Sequence, residues 1–230
     1  MLLAIDTATK VMSIALHNGQ TLLSEQSWYT ENRHSIELSP AVAAMLRVCA
    51  ITVKDLSAVA VSIGPGSYTG LRIGVSLAKG IAAPRNLPVV GITTLDTLAA
   101  GQPFYQSGTG LIVVVQAGRG RLIVKTYRRN KGRWQSRTEP RLMDWQTLLE
   151  TMDGPAHITG EIDSEGLAIL TEAQSRDVPI TLAPPAHRLR RAGFLAEDAW
   201  DMLREAGEDK SAFSAEKLLP VYIKSDNDES

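Results

Sequence analysis

The chain has 230 residues, a formal net charge of −1 at pH 7, 44% hydrophobic residues and one cysteine. That length allows one large domain or two small ones with a real core, and the composition is ordinary for a globular protein. Cys49 alone excludes an intramolecular disulfide, no Cys/His cluster has zinc-ligand spacing, and no apolar run is long enough to span a membrane.

The first element, "LLAIDTA", is a short apolar run and reads as a buried strand. It meets an Asp at once and lacks a basic region, so it is not expected to be a signal peptide, and the cytosol is the expected compartment. "VMSIALHNG" ends at the turn signal Asn18-Gly19, and "TLLSEQSWY" runs back, which predicts an antiparallel three-strand meander. His34 to Ala50 carries helical spacing at Ile36, Val42, Met45, Leu46 and Cys49, with Pro40 inside. "LSAVAVSIGPG" is the next strand. A helix follows from the Ser67–Thr69 region and ends at Pro84. "LPVVGITT" is a strand and "TLDTLAAG" a short helix closed by Gly101.

"GQPFYQSGTG" is rich in Gly, Pro and polar residues and predicts a boundary between lobes 1–103 and 104–230, the last helix and tail being free to pack back onto the first lobe. The order then partly repeats. "GLIVVVQAG", "GRLIVKTYRR" and "GRWQSRTEP" read as strands. Asp144 caps "DWQTLLETM". "PAHITGE" is a strand, "SEGLAILTEAQS" a helix and "VPITLA" a strand. "AGFLAEDAWDMLREAG" is a helix closed by Gly207. Two halves of similar element order predict an internally duplicated α/β protein.

Charge is unevenly spread. Between Arg119 and Arg141 lie Arg121, Lys125, Arg128, Arg129, Lys131, Arg133 and Arg137, against Glu139 alone. "HRLRR" (His187 to Arg191) is a second basic run, and "SDNDES" is an acidic tail. Two readings stay open: a surface for nucleic acid or an acidic partner, and solvated strands with basic faces.

The segment "IGPGSYTGLRIGVSLAKGIAAP" has the look of a phosphate loop. Its spacing fits neither the Walker pattern, for want of Gly-Lys-Ser/Thr, nor Gly-x-Gly-x-x-Gly, where it carries one residue too many. At about 100° per residue, Gly70, Gly74, Ala78 and Ala82 trace a stripe of small side chains, flanked by Ile73, Leu77 and Ile81 and by Leu71 and Val75. This helix should be covered on two sides. The stripe reads as room for a neighbouring helix, either that of a partner or the His34–Ala50 helix of the same chain.

Catalytic equipment is thin. "AIDTAT" places Asp6, Thr7 and Thr9 where actin-like and sugar-kinase-like folds turn toward ATP phosphates. Ala8 stands where those folds carry glycine, and its Cβ crowds the approach. The corresponding turn of the second half has Gln116, a neutral amide that cannot serve as a general base or hold Mg²⁺ strongly. His17, His34, His157 and His187 are scattered, and no Ser-His-Asp ordering stands out. A peptidase is therefore not expected. An autonomous actin-like ATP-binding protein or kinase is the alternative that "IDTAT" leaves open.

The segments "LLAIDTAT", "HSIELSPAVAAML", "GPGSYTGLRIGVSLAKGIA", "PVVGITTLDTLA" and the late "LPVYIK" resemble, in order, the TsaB (YeaZ) family. The resemblance implies an actin/hexokinase-like (ASKHA) fold of two ribonuclease-H-like lobes, mixed sheets flanked by helices. It implies a non-catalytic scaffold in the complex that forms N6-threonylcarbamoyladenosine beside the anticodon of tRNAs reading A-starting codons. A TsaD-like subunit would hold the metal and make the transfer, and a TsaE-like ATPase would join. ATP would be used by those partners and none held tightly by this chain. tRNA would be met through the complex, and the chain alone would form a homodimer.

The partner contact implied by the resemblance uses the helices His34–Ala50 and Thr69–Ala83. Its residues are His34, Leu38, Met45, Tyr68, Gly70, Leu71, Gly74, Val75 and Ala78. TsaD binds metal through His-x-x-x-His, and here His34 is followed by Leu38, so no metal and no catalytic residue are implied. Asp6, Thr7 and Thr9 would be a degenerate phosphate turn. Family members commonly carry Asp-Ala-Arg where this chain reads Gln116-Ala117-Gly118.

Overall fold

The computed structural model describes residues 1–104 and 108–223. In chain order the elements are β1 (Leu2–Asp6), β2 (Val11–His17), β3 (Leu22–Tyr29), α1 (His34–Val48), β4 (Ala58–Ser62), α2 (Tyr68–Ala82), β5 (Val89–Ile92) and α3 (Thr94–Ala100). Then follow β6 (Gly110–Gly118), β7 (Arg121–Asn130), β8 (Arg133–Ser136), β9 (Arg141–Met143), α4 (Trp145–Glu150), β10 (Ala156–Gly160), α5 (Ser164–Ser175), β11 (Ile180–Leu182) and α6 (Ala192–Glu205). The chain divides into two units. The first joins Met1–Thr97 to Arg190–Val221, and the second is built on Leu98–Leu189. The division thus falls before Leu98, where the sequence pointed to residue 104. The acidic tail and part of the "GQPFYQSGTG" boundary lie outside the described residues.

The first unit has one mixed sheet in the order β3-β2-β1-β4-β5. Its first three strands are the antiparallel meander, turned at Asn18-Gly19, where the Asn18 carboxamide oxygen accepts the Gln20 and Thr21 N–H groups. β4 then runs parallel to β1, and β5 parallel to β4. Strand alternation sorts the side chains. Leu3, Ile5, Ile14, Val59 and Val61 pack on the side of α1 and α2. The other side offers Ala4, Ala15, Ala58 and Ala60 to Ala192, Ala196 and Ala199 of α6. Small side chains on both partners let α6 lie close to the sheet. Its first N–H groups have no intrahelical acceptor, and strands supply them: Ala192 N–H donates to Ser13 Oγ (2.9 Å) and Gly193 N–H to Glu25 Oε1 (2.7 Å).

The second unit repeats the plan as β8-β7-β6-β10-β11, with β9 added against β7. Its meander β6-β7-β8 is antiparallel and β10 is parallel to both β6 and β11. Ile112, Val114, Leu122, Val124 and Ile158 form its core with Trp145, Leu148 and Leu170 of α4 and α5. Asp144 caps α4, accepting the Thr147 N–H at 2.8 Å, as its residue type predicts. β9 is the strand that the sequence reading missed. Its three residues, Arg141 to Met143, are too few to show an alternation.

His157 on β10 is 3% exposed, and its Nδ1 hydrogen-bonds Thr181 Oγ1 at 2.8 Å. Burial, aided by the charges of His187 and Arg188, lowers its pKa to about 4. The unfolded chain therefore takes up this proton near pH 6.5 while the folded one stays neutral. The stability is fully present above that pH and falls as pH drops toward 4, by up to about 3 kcal/mol. Urea melts of His157→Gln should show a flatter dependence over this interval. An equal slope in both proteins would refute the assignment to His157.

Candidate functional site

Asp6 closes β1, and its turn is engaged from within the first unit. Its carboxylate is fully buried. Oδ1 accepts the Ala8 N–H at 2.9 Å, and Oδ2 accepts Arg190 Nε–H at 3.1 Å. Arg190 Nη2 also donates to Thr9 Oγ1 (2.6 Å) and to the Val11 carbonyl (2.9 Å). Arg190 itself is 3% exposed. A buried pair of this kind persists because further hydrogen bonds satisfy its remaining atoms. A carboxylate serving a metal–phosphate group must present an oxygen to it. Here both oxygens are spoken for and a guanidinium occupies the turn, so these residues do not fit such a group.

The glycine segment closes the other side of this turn. Ser67 N–H donates to the Ala8 carbonyl at 2.6 Å, and Ser67 Oγ caps α2 by accepting the Gly70 N–H at 3.2 Å. Thr7 Oγ1 donates to the Gly70 carbonyl at 2.7 Å. A Cβ on Gly70 would come within 2.2 Å of the Thr7 carbonyl oxygen, and one on Gly74 within 2.3 Å of Thr7 Oγ1. The expectation that the small stripe leaves room for a partner helix is corrected here. At Gly70 and Gly74 the β1–β2 turn fills that room, because a short polar turn can approach a helix backbone closely only where side chains are missing.

The same geometry buries most of the residues expected at the partner contact. Of its nine residues, His34, Leu38, Met45, Gly70, Leu71, Gly74, Val75 and Ala78 are buried within the chain, and Tyr68 is exposed. His34 is bound inward, its Nε2–H donating to the Thr9 carbonyl at 2.8 Å. The outward face of α1 and α2 is a groove. Leu38 lies at its base and Tyr68, Arg72, Ile73 and Leu77 along it, with the small Ser35, Ser39 and Ser76 between them. The Arg72 guanidinium lies 3.9 Å above the Tyr68 ring. Glu37 fixes the first turn of α1. The Trp28 indole N–H bonds it at 3.0 Å, and this, with Thr30 and Arg33, holds its carboxyl below the usual range.

In the second unit, Gln116 is tied to the chain after β10. Its N–H reaches Glu161 Oε2 and its Nε2–H the Glu161 carbonyl, both at 3.1 Å. The "HRLRR" run does not form one basic surface. Arg188 Nε–H donates to the Ala183 carbonyl, Arg190 is the buried partner of Asp6, and Arg191 pairs with Glu25. Arg190 is the residue at the Asp6 turn that the sequence does not reveal. It stands 184 positions from Asp6, and no spacing signals the pair. Among the described residues, no group of three or more His, Cys, Asp or Glu could hold a metal ion, and no helix is long and apolar enough to cross a membrane.

Residues 28–183 match the TsaD family, described as tRNA N6-adenosine threonylcarbamoyltransferase. The chain is 32% identical to the tRNA threonylcarbamoyladenosine biosynthesis protein TsaB of Bacillus subtilis (strain 168), over 97% of this chain and 93% of that protein. The crystallised YeaZ from Pseudomonas aeruginosa superposes with a TM-score of 0.77 at 23% identity, covering 96% of this chain and 99% of that one. The activator of 2-hydroxyisocaproyl-CoA dehydratase from Clostridium difficile, solved with bound ADPNP, superposes at 0.50 with 12% identity, covering 90% and 96%. Likeness at such low identity is one of fold, and the fold is the actin/hexokinase-like (ASKHA) arrangement of two ribonuclease-H-like sheets.

Proposed function

The chain belongs to the TsaB (YeaZ) family, and on that premise we propose that it is a non-catalytic supporting subunit in the synthesis of N6-threonylcarbamoyladenosine in tRNA. The observation that favours support over catalysis is the Arg190 guanidinium on Asp6. The alternative reading, an autonomous ATP-binding protein or kinase, needs an accessible carboxylate at that position. In the proposed role a TsaD-like subunit docks on the outward groove of α1 and α2, around Tyr68, Ile73 and Leu77, and a second copy of this chain occupies the same face when TsaD is absent. A TsaE-like ATPase and the turnover of ATP belong to the partner subunits.

The test is mass spectrometry of nucleosides from total tRNA after the protein is depleted from its cells. N6-threonylcarbamoyladenosine should fall severalfold, and re-expression should restore it. A normal level in depleted cells would sink the role.

A further inference from the structure

We infer that the β7–β8 hairpin of the second unit is an RNA-backbone-binding surface, and, resting on the role proposed above, that tRNA is what it binds. The hairpin projects from its sheet. The β6–β7 register ends at Leu111↔Tyr127, and beyond Tyr127 strand β7 pairs with β8 alone, through Arg128↔Gln135, Arg129↔Trp134 and Asn130↔Arg133. Residues opposite one another share a face, and side chains alternate along each strand. Arg128 and Arg133 therefore share one face with Arg141, which sits opposite Val124. All three are exposed.

The other face carries aromatic surface beside a cation. The Arg129 guanidinium lies 4.6 Å from the Phe104 ring centroid, and the Trp134 ring is 5.7 Å from Phe104 at 42°. Phe104 is 44% exposed.

Three observations favour RNA. First, the chain as a whole has a net charge of −1, so the cations are gathered here and do not reflect a generally basic protein. Like charges this close repel within a Debye length of about 10 Å, and a polyanion offsets that repulsion. Second, the segment from Arg119 to Arg141 is richer in Arg than in Lys. Arg presents a planar fork that pairs with phosphate in two hydrogen bonds. Third, an exposed aromatic beside a guanidinium offers a stacking surface for an unpaired base. The Arg137–Asp153 pair, 3.5 Å apart and exposed on both sides, is of the weak surface kind that phosphate displaces.

The test uses the full chain and a labelled, unmodified tRNA transcript, with affinity measured from 50 to 200 mM salt. Each phosphate contact removed should lower the magnitude of the log K against log salt slope by about 1. Arg128→Gln/Arg129→Gln/Arg133→Gln should therefore flatten it by about 3 and weaken binding at least about tenfold at the lowest salt. Arg128→Lys/Arg133→Lys keeps the charge and should keep the slope, which separates charge loss from misfolding. Polyglutamate of matched charge should compete poorly. An unchanged slope in the triple variant, no tRNA binding by the wild type, or equal competition by polyglutamate would overturn the inference. If the slope falls while depleted cells keep normal N6-threonylcarbamoyladenosine, the surface stands and the family role fails. If the slope is unchanged while that nucleoside is lost, the role stands and the surface fails.

Discussion

Replacing Arg190 by Met is expected to lower the free energy of unfolding by about 3–5 kcal/mol. The loss comes less from the missing attraction than from what is left behind. Asp6 is fully buried, so without Arg190 its carboxylate has neither water nor a cation, and Thr9 and the Val11 carbonyl lose their donor as well. Asp6→Asn should also destabilise, because Arg190 then becomes the uncompensated charge. The double variant Asp6→Leu/Arg190→Met removes both charges and should recover most of the loss, since an apolar pair of similar volume often matches a buried ion pair. Urea unfolding of the three proteins and the wild type closes the cycle. A single variant within about 1 kcal/mol of wild type, or a double variant no better than the singles, would show that the pair is not what closes the turn.

Gly74→Leu is expected to destabilise the chain by about 3 kcal/mol or more, at the upper end of overpacking costs. Its first added atom would meet Thr7 Oγ1 at 2.3 Å, and that hydroxyl already holds the Gly70 carbonyl. Ala78→Arg carries a charge to a position with no exposure and should be at least as harmful. Neither variant can test an interface, because a failure to bind would report a failure to fold. Ser76→Arg and Tyr68→Ala lie at exposed positions of the outward groove. They should leave stability within about 1 kcal/mol of wild type. If they lie at the docking face, each should cost about 2 kcal/mol of binding, roughly 30-fold in affinity. Thermal melts and capture of a purified TsaD-like subunit separate the two classes. Wild-type capture by both surface variants would remove the groove as the contact, and a wild-type melt for Gly74→Leu would contradict the packing at Thr7.

Most elements were legible in the chain because their signals are local. Alternation marked the meander, Asn18-Gly19 marked its turn, and the Ser67–Thr69 region and Asp144 marked helix starts. Periodicity also identified the α2 stripe as special. What periodicity could not say was which way the stripe faced. A helix wheel ranks side chains around an axis and carries no information on what stands opposite, and here it was a turn some sixty residues earlier. The helix between Tyr68 and Ala82 therefore looked like a docking face at its most buried line.

The sequence by itself determined the duplicated α/β plan, the Asn18-Gly19 turn and the special character of the α2 stripe. These depend on residue types at short spacing, which local physics makes readable. The tertiary structure decided the state of the Asp6 turn, the inward burial of Gly70 and Gly74, and the grouping of cations on the projecting β7–β8 hairpin. Each of these depends on long-range packing, and a guanidinium meets its carboxylate only after the whole sheet and α6 have come together. Asp6 in a strand announced a site, and only the fold showed that Arg190 already fills it.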